Sequence, residues 1–369
     1  MEHYNYFLLI QGVEMKTLNT TAYETITALK KNRFLKGSIN VYDSNHVQWN
    51  RTMFFVFGDN TPLHFTSDYH KIFEKPGKET AFLFVYIKEG FEIFSIPFIK
   101  RKINEVYSDA TSVFGYTGPV TNSNNRDFLE SANCAYKDFL QESNVVSELV
   151  RFDPITENQN LMTGSISLVE LKPYVINDLS GDLDSIFHLI HPGMRRHIKT
   201  GYKRLKGDIH ITRDTEKMSE FFGIYIDNMK SKNANDYYLF WEDFYRRLAM
   251  LIKKYGFLIF YEKYNKIKAG IVFLNNGIIS YAHQCARDCK DGDSSCANKL
   301  LWWEAFKRLK EDGIEKVLLG GGISCDPTDS LLHFKKQFGG YLKGFWLGKR
   351  VLIDDAYDKF CRAWEENYP

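Results

Sequence analysis

The same order of signals occurs twice in this chain, and that repetition constrains the fold more than any single motif. Ala81 to Ile87 and Phe91 to Ile99 flank Lys88-Glu89-Gly90, two apolar runs around a glycine turn, which predicts a β-hairpin. A loop at Gly115-Tyr116-Thr117-Gly118-Pro119, a helix pattern from Arg126 to Gln141 and a strand at Val146 to Phe152 follow. Further on, Lys268 to Leu274 and Ile278 to Cys285 surround Asn275-Asn276-Gly277, again a hairpin signal. A polar loop from Asp288 to Ser295 leads to a helix pattern from Asn298 to Asp312 and a short strand, Val317 to Leu319. One unit used twice predicts an internal duplication. Strand pairs followed by a helix and a further strand argue for a mixed β-sheet flanked by helices. The expected fold class is therefore α/β (α+β) in two tandem domains, residues 1–172 and 173–369, meeting near Ser165 to Leu179. The first 60 or so residues carry a helix pattern, Thr21 to Leu35, and candidate strands at Ile39 to Tyr42 and Met53 to Phe57, with no role assigned.

Composition narrows the function classes. Hydrophobic residues at 44% and charged residues at 25% are those of a globular protein, and a formal net charge of +2 leaves any attraction for phosphate to a local patch. The 29 Phe, 22 Tyr and 6 Trp supply large cores, with some available to line a cleft. No stretch approaches the roughly 20 apolar residues that span a bilayer. Phe7-Leu8-Leu9-Ile10 is too short for a signal-peptide core and follows Glu2, so a cytoplasmic location is expected. The six cysteines are expected as free thiols. His283, Cys285, Cys289 and Cys296 lack the paired spacing of structural zinc, so no metal is expected. Hydrolase, NTPase and dehydrogenase motifs are missing from the sequence.

Two places carry candidate chemistry. Gly320-Gly321-Gly322 stands just past the Val317 strand, at the carboxyl end where α/β folds place ligands. Asp326-Pro327 then reads as an N-cap with proline in the first turn of a helix bearing Asp329, His333, Lys335 and Lys336. The second place is basic: Arg195, Arg196, Lys199, Lys203, Arg204 and Lys206 fall in a run without an acid, while Met194, Ile198, Tyr202 and Leu205 form one helical stripe. That cationic face is either solvated surface or a site for a phosphate-bearing ligand.

Arg195-Arg196-His197-Ile198-Lys199, Asp236-Tyr237-Tyr238, Ala269-Gly270, Asn298-Lys299-Leu300-Leu301, Leu319-Gly320-Gly321-Gly322 and the segment from Asp329 to Gly339 follow one another in a telling order. Together they resemble the GNAT-type N-acyltransferases of the Fem-like group, related to the peptidyltransferases of peptidoglycan bridges. Gly115 to Pro119 is similar to that group's first domain. The resemblance implies two tandem GNAT-like domains and transfer of an acyl group to an amine in the cleft of one. It also implies a place in cell-wall or surface-polysaccharide synthesis, and for the Fem branch proper an aminoacyl-tRNA donor. This chain lacks the long charged heptad pair that forms a helical arm in several of those enzymes.

The expected function is an N-acyltransferase moving an acyl group from acyl-CoA or an acyl-carrier protein to an amino sugar or nucleotide-linked precursor, with no tightly bound cofactor. Two alternatives stay open: an aminoacyl-tRNA-dependent enzyme acting on a peptidoglycan precursor, and a non-catalytic module that binds a glycan precursor. Acyl transfer to an amine needs a proton acceptor, donors for the oxyanion and an acid for the leaving group. His283 is a candidate acceptor or a buried structural histidine, Asp329 an amine-orienting base or a first-turn helix acid, and Tyr238 a leaving-group acid or a packing residue. The helix start near Asn298 is a candidate for the donor's pyrophosphate or pantetheine arm. Arg195, Arg196, Lys199, Tyr237, Gly320, Gly321, Gly322, Lys335 and Lys336 complete the expected binding set.

Overall fold

Both hairpins form, and a helix follows each, the first where its periodicity places it and the second starting at Ser294, four residues before the expected Asn298. In the computed structural model of the chain, which describes residues 37–367 apart from 89, 90, 165, 236, 237 and 327, the order begins with β1 (Ser38–Asp43), α1 (Val47–Phe57) and α2 (Ser67–Lys71). It continues with β2 (Glu79–Lys88), β3 (Glu92–Lys102), β4 (Ser108–Thr111), β5 (Val120–Thr121), α3 (Arg126–Glu142), β6 (Val145–Arg151) and β7 (Ser167–Asp178). Then come α4 (Leu183–Leu189), α5 (Pro192–Arg204), β8 (Asp208–Thr212), α6 (Thr215–Ser231) and α7 (Glu242–Tyr255). The last run is β9 (Gly256–Lys263), β10 (Lys266–Asn276), β11 (Ile279–Arg287), α8 (Ser294–Glu311), β12 (Lys316–Gly321), α9 (Ser330–Lys336), β13 (Tyr341–Val351) and α10 (Asp354–Asn367). The Thr21 to Leu35 helix pattern, Tyr237 and Pro327 lie outside the described residues.

Local chemistry explains most boundaries. In α3 the Asn125 side chain accepts from the Asp127 and Phe128 amides, and Phe128, Leu129, Ala132, Tyr136 and Leu140 bury one face. Met53 to Phe57, read as a strand from its aromatic run, is instead the end of α1. His46 caps that helix, Trp49, Thr52 and Met53 are buried at helical spacing, and Gly58 with φ 63° ends it. The second helix after the glycines starts later than expected: Asp329, not Asp326, is the N-cap of α9, and Asp326 bonds Thr328 in a turn of its own. No described helix is long and apolar enough to cross a membrane.

All described strands belong to one mixed sheet, ordered β1-β2-β3-β4-β6-β13-β7-β12-β11-β10-β9-β8, with β5 attached to β3. Counted outward from the β13/β7 pair, the two sides match: β6 with β12, β4 with β11, β3 with β10, β2 with β9, β1 with β8. Helix α3 joins β4 to β6 as α8 joins β11 to β12, and α1 with α2 corresponds to α6 with α7. Residues 38–57, unassigned from sequence, thus supply the edge strand and helix that complete the first unit. The expected boundary at 172/173 falls inside β7, because each unit gives its last strand to the other. Strand β7 pairs antiparallel with β12, and β13 returns to pair with β6. One core lies between the units and under α6 and α7, a second under α5 and α8, and a third under α3.

The returning strand is sealed by charge. Arg350 of β13 donates to Glu148 of β6 at 2.7 Å, with both side chains almost fully buried, and stacks its guanidinium over Tyr136, whose hydroxyl donates to the other Glu148 oxygen at 2.6 Å. Removing one member strands the other without solvent. Arg350→Met should cost about 3–5 kcal/mol in urea unfolding, and Glu148→Gln added to it should recover most of the loss, since the amide oxygen introduced there still accepts from Tyr136.

Candidate active site

The two units differ at one place. In the first, the parallel β4/β6 ladder runs from Ser108↔Val145 to Thr111↔Leu149 and is carried on by Ser112 N to Leu149 O, Thr117 N to Arg151 O and a Thr117↔Phe152 bridge. Asn158 ties that end by donating to the Thr117 and Pro119 carbonyls. In the second, β11 and β12 pair only at Ile279↔Lys316, Ser280↔Val317 and Tyr281↔Leu318, although β11 runs on to Arg287. Two bulges part them. The β10/β11 register skips His283, the β7/β12 register skips Leu319, and Gly320 after it takes φ 81°. A wedge therefore opens between the carboxyl ends of β11 and β12, the position where α/β sheets hold ligands.

Lysines and an aspartate finish the backbone that the broken ladder leaves unpaired. Lys335 of α9 donates to Gly321 O at 2.8 Å, and Lys172 of β7 to Gly322 O at 2.7 Å and Ile323 O at 3.3 Å. Burial pulls the Lys335 ammonium down to about 8, the nearby Lys172 charge adds to this, and Cys285 and Asp329 oppose it. Lys172 was missed from sequence, where it is one more cation in a strand. Gly320 and Gly321 belong to β12 and do not lie past its end. Their openness serves the protein's own side chains: a Cβ on Gly320 would meet the Lys335 Nζ at 3.2 Å and the Tyr116 hydroxyl at 3.7 Å, one on Gly321 the Tyr174 ring at 2.4 Å, one on Gly322 the Asp329 carboxylate at 2.4 Å. Lys336 is exposed.

Asp329 is held as a cap and loop clasp. Its Oδ1 accepts from the Leu331 and Leu332 amides at 2.9 Å, and its Oδ2 from the Ile323 amide at 2.8 Å, the Ser324 amide at 2.9 Å and the Ser324 hydroxyl at 3.1 Å. Burial alone would raise its pKa, but the donations from Leu332, Ser324 and Ile323 outweigh it and hold the carboxyl at about 2.

Toward the first unit the wedge is roofed by aromatic side chains. His64 packs 4.0 Å from Tyr281, 4.3 Å from Tyr69 and 5.4 Å from Tyr116, measured between ring centroids, and His283 lies 5.8 Å from Phe114 and 6.3 Å from Tyr69. Both His283 ring nitrogens are buried with no hydrogen-bond partner, and burial pulls the imidazole down to about 4, so it is neutral at pH 7. Tyr281 donates to the buried Asp153 at 2.9 Å, and burial pushes that carboxyl up to about 6. Asp153 and Tyr281 sit far apart in sequence, and nothing in either stretch marks them as partners. Tyr238 stands at the rim, 39% exposed, its ring 6.2 Å from Phe114 and its carbonyl accepting from Tyr225.

The expected donor site on α8 is not built as read. The helix starts at Ser294, so Asn298 lies in its second turn and accepts from the Cys285 thiol at 3.2 Å. At the true start, Asp291 Oδ1 already accepts from the Asp293 and Ser294 amides, and Asp293 O from the Cys296 and Ala297 amides. Lys263 pairs with Asp293 at 2.6 Å and with Asp291 at 4.0 Å, and the two carboxylates against this one cation leave a net negative charge that opposes an anion. Beside it, α5 buries Met194 and Ile198 and rests Gly201 against Leu300, while Tyr202 is 53% exposed. None of Arg195, Arg196, Lys199, Lys203, Arg204 or Lys206 forms an ion pair among the described residues.

Replacing Asp329 by Asn leaves two backbone amides facing an NH₂ group. We expect a stability loss of about 1–3 kcal/mol by thermal melting, with kcat/KM within about threefold of the parent. Because the folded carboxyl sits below its ordinary value of 3.8, its contribution is fully present above pH 4 and fades as pH falls toward 2, where the two proteins should converge.

No family model matches the chain, and no curated protein does. Among solved structures, FemX matches at 12% identity and a TM-score of 0.66, over 86% of this chain and 99% of its own. A tandem GNAT protein from the clavulanic acid biosynthesis pathway matches at 7% identity and a TM-score of 0.51, over 85% and 99%. At these identities the likeness is one of fold: the chain has the GNAT-type, Fem-like tandem architecture, a large mixed sheet flanked by helices.

Proposed function

We propose that this protein transfers an acyl or aminoacyl group to an amine in the wedge between β11 and β12. The observation that carries this reading is Lys335: an ammonium pulled down to about 8, fixed on the Gly321 carbonyl beside the open strand ends. A carbonyl carbon attacked by an amine becomes an oxyanion, and a preorganised cation in a part-buried site stabilises that charge more than it does the ground state. Neutral His283, with both nitrogens unpartnered, accepts a hydrogen bond from the incoming amine and orients it. A histidine at about 4 is a weak proton store, so the amine enters as its free base.

For the donor, the α8 start favours the aminoacyl-tRNA alternative. The Asp293, Ser294, Cys296 and Ala297 amides are already bonded and Asp291 and Asp293 share one cation, Lys263, so a compact pyrophosphate such as that of acyl-CoA meets few free donors and a net negative charge there. The unpaired cations of α5 suit a longer polyanion, as in the aminoacyl-tRNA donor that the Fem-like resemblance implies. An acyl-CoA or acyl-carrier donor remains the rival. The acceptor is read as an amino sugar or nucleotide-linked precursor of cell-wall or surface-polysaccharide synthesis.

Mass spectrometry of products from amino-sugar nucleotides and peptidoglycan precursors, offered acetyl-CoA or aminoacyl-tRNA, tests the reading. Lack of turnover with every pair would leave a non-catalytic binding module. With an active pair in hand, Lys335→Met should lower kcat by about 100-fold or more, a larger effect than the stability loss of about 1–3 kcal/mol expected from leaving the Gly321 carbonyl unpaired. In the parent, kcat should fall as pH rises through about 8, where the ammonium deprotonates, and Lys335→Arg should remove that limb. Replacing Arg195, Arg196 and Lys199 together with Ala should raise the donor KM and flatten its salt dependence, by about one unit of slope for each phosphate no longer neutralised. An unchanged slope would return α5 to solvated surface.

A further inference from the structure

Away from the wedge, at the amino ends of β4 and β6, the α3 face of the first unit's sheet is left open among the described residues. Val41, Phe82, Phe98, Phe139 and Leu140 line a cavity of about 250 Å³. It adjoins a second cavity of about 330 Å³ whose walls include Lys78, Lys100, Lys102 and Val106, and the two share Phe82 and Lys100. One end of this groove is apolar and the other cationic. Lys78 has no ion pair among the described residues, Lys100 donates to Ser143 O at 3.0 Å, and only Lys102 has a carboxylate partner, Glu105 at 2.7 Å. Beside the lysines, Ile103 and Val106 are 42% and 61% exposed, and Ile39 and Val41 of the edge strand 47% and 36%. Large apolar side chains left in water next to unpaired ammoniums mark a ligand surface with two characters.

We propose that this groove binds a single-chain fatty acid, its acyl chain along Phe82, Phe98 and Phe139 and its carboxylate among Lys78, Lys100 and Lys102. Size limits the ligand: of the two adjoining cavities, that of about 330 Å³ stands at the lower end of the roughly 300–1,000 Å³ of small-molecule sites and that of about 250 Å³ just below it, room for one chain and not for a two-chain phospholipid. Charge selects the head. Three ammoniums call for an anion, and Glu105 at the rim penalises a dianionic phosphate more than a monoanionic carboxylate. The site is independent of the transfer reading.

Calorimetric titration of the full chain with decanoate, decanol and decyl phosphate below their micellar ranges tests this. Decanoate should bind saturably, and the double variant Lys78→Ala/Lys102→Ala, both exposed positions, should weaken it by roughly 10-fold while leaving any decanol binding unchanged. A decanoate carrying an ω-diazirine should crosslink to peptides holding Phe82, Phe98 or Phe139. The proposal falls if the full chain shows no saturable binding, if the double variant binds decanoate as the parent does, if decyl phosphate binds more tightly, or if the crosslinks lie elsewhere.

Discussion

A parallel ladder that stops early leaves carbonyls and amides without partners, and the carboxyl end of β12 is organised around meeting that debt. Past Leu318 no β11 residue pairs with β12. The Gly321 and Gly322 carbonyls are taken by Lys335 and Lys172, and the Ile323 and Ser324 amides by Asp329, which also starts α9. Gly321 is buried and its carbonyl cannot stay unpaired, so the Lys335 cation is drawn to the strand end by the same geometry that opens it. The candidate chemistry at Lys335 is thus a by-product of structural necessity, a cation already placed where a developing oxyanion needs one.

Each of the three glycines has a neighbour that needs its missing Cβ, and the neighbours come from different elements. Tyr174 on β7 sits against Gly321, Asp329 against Gly322, Lys335 against Gly320. Sequence alone suggested that the opening was for substrate. The packing assigns it to the protein first, and the proposed ligand space is the wedge itself and not the glycines.

What the sequence revealed follows from periodicity, and what it hid follows from distance along the chain. The hairpins β2–β3 and β10–β11 and the helices α3 and α8 were legible because their apolar spacing is local. The end of α1 was misread because Met53 to Phe57 is as apolar on all sides as a buried strand, and only the His46 cap and Gly58 stop distinguish it. Pro327 drew the start of α9 to Asp326, three residues early, since proline prefers a first helical turn. Exchange of β7 and β13 left no local trace: neither stretch is among the strands expected from sequence, and the partner of each lies more than a hundred residues away. For the site, His283 and Lys335 were visible as residue types in a promising stretch. Lys172, Tyr281 and Asp153 acquire meaning only from contacts across the two units.

The exchange also explains why a unit with a closed ladder is retained. Tyr174 of β7 and Phe345 of β13 stack at 4.5 Å on the exchanged pair, and Tyr116 of the first unit docks against both, 5.6 and 5.8 Å away. Through Tyr174 that stack also holds Gly321, and through Tyr116 it reaches Gly320, so one aromatic cluster sets both the floor of the wedge and the roof above it. Were β7 and β13 to stay within their own units, Tyr174 would leave Gly321 and Arg350 would leave Glu148. A first unit closed at Thr117 and Phe152 gives up its own wedge, and the rigid loop this creates is what positions Phe114 and Tyr116 over the wedge of the other.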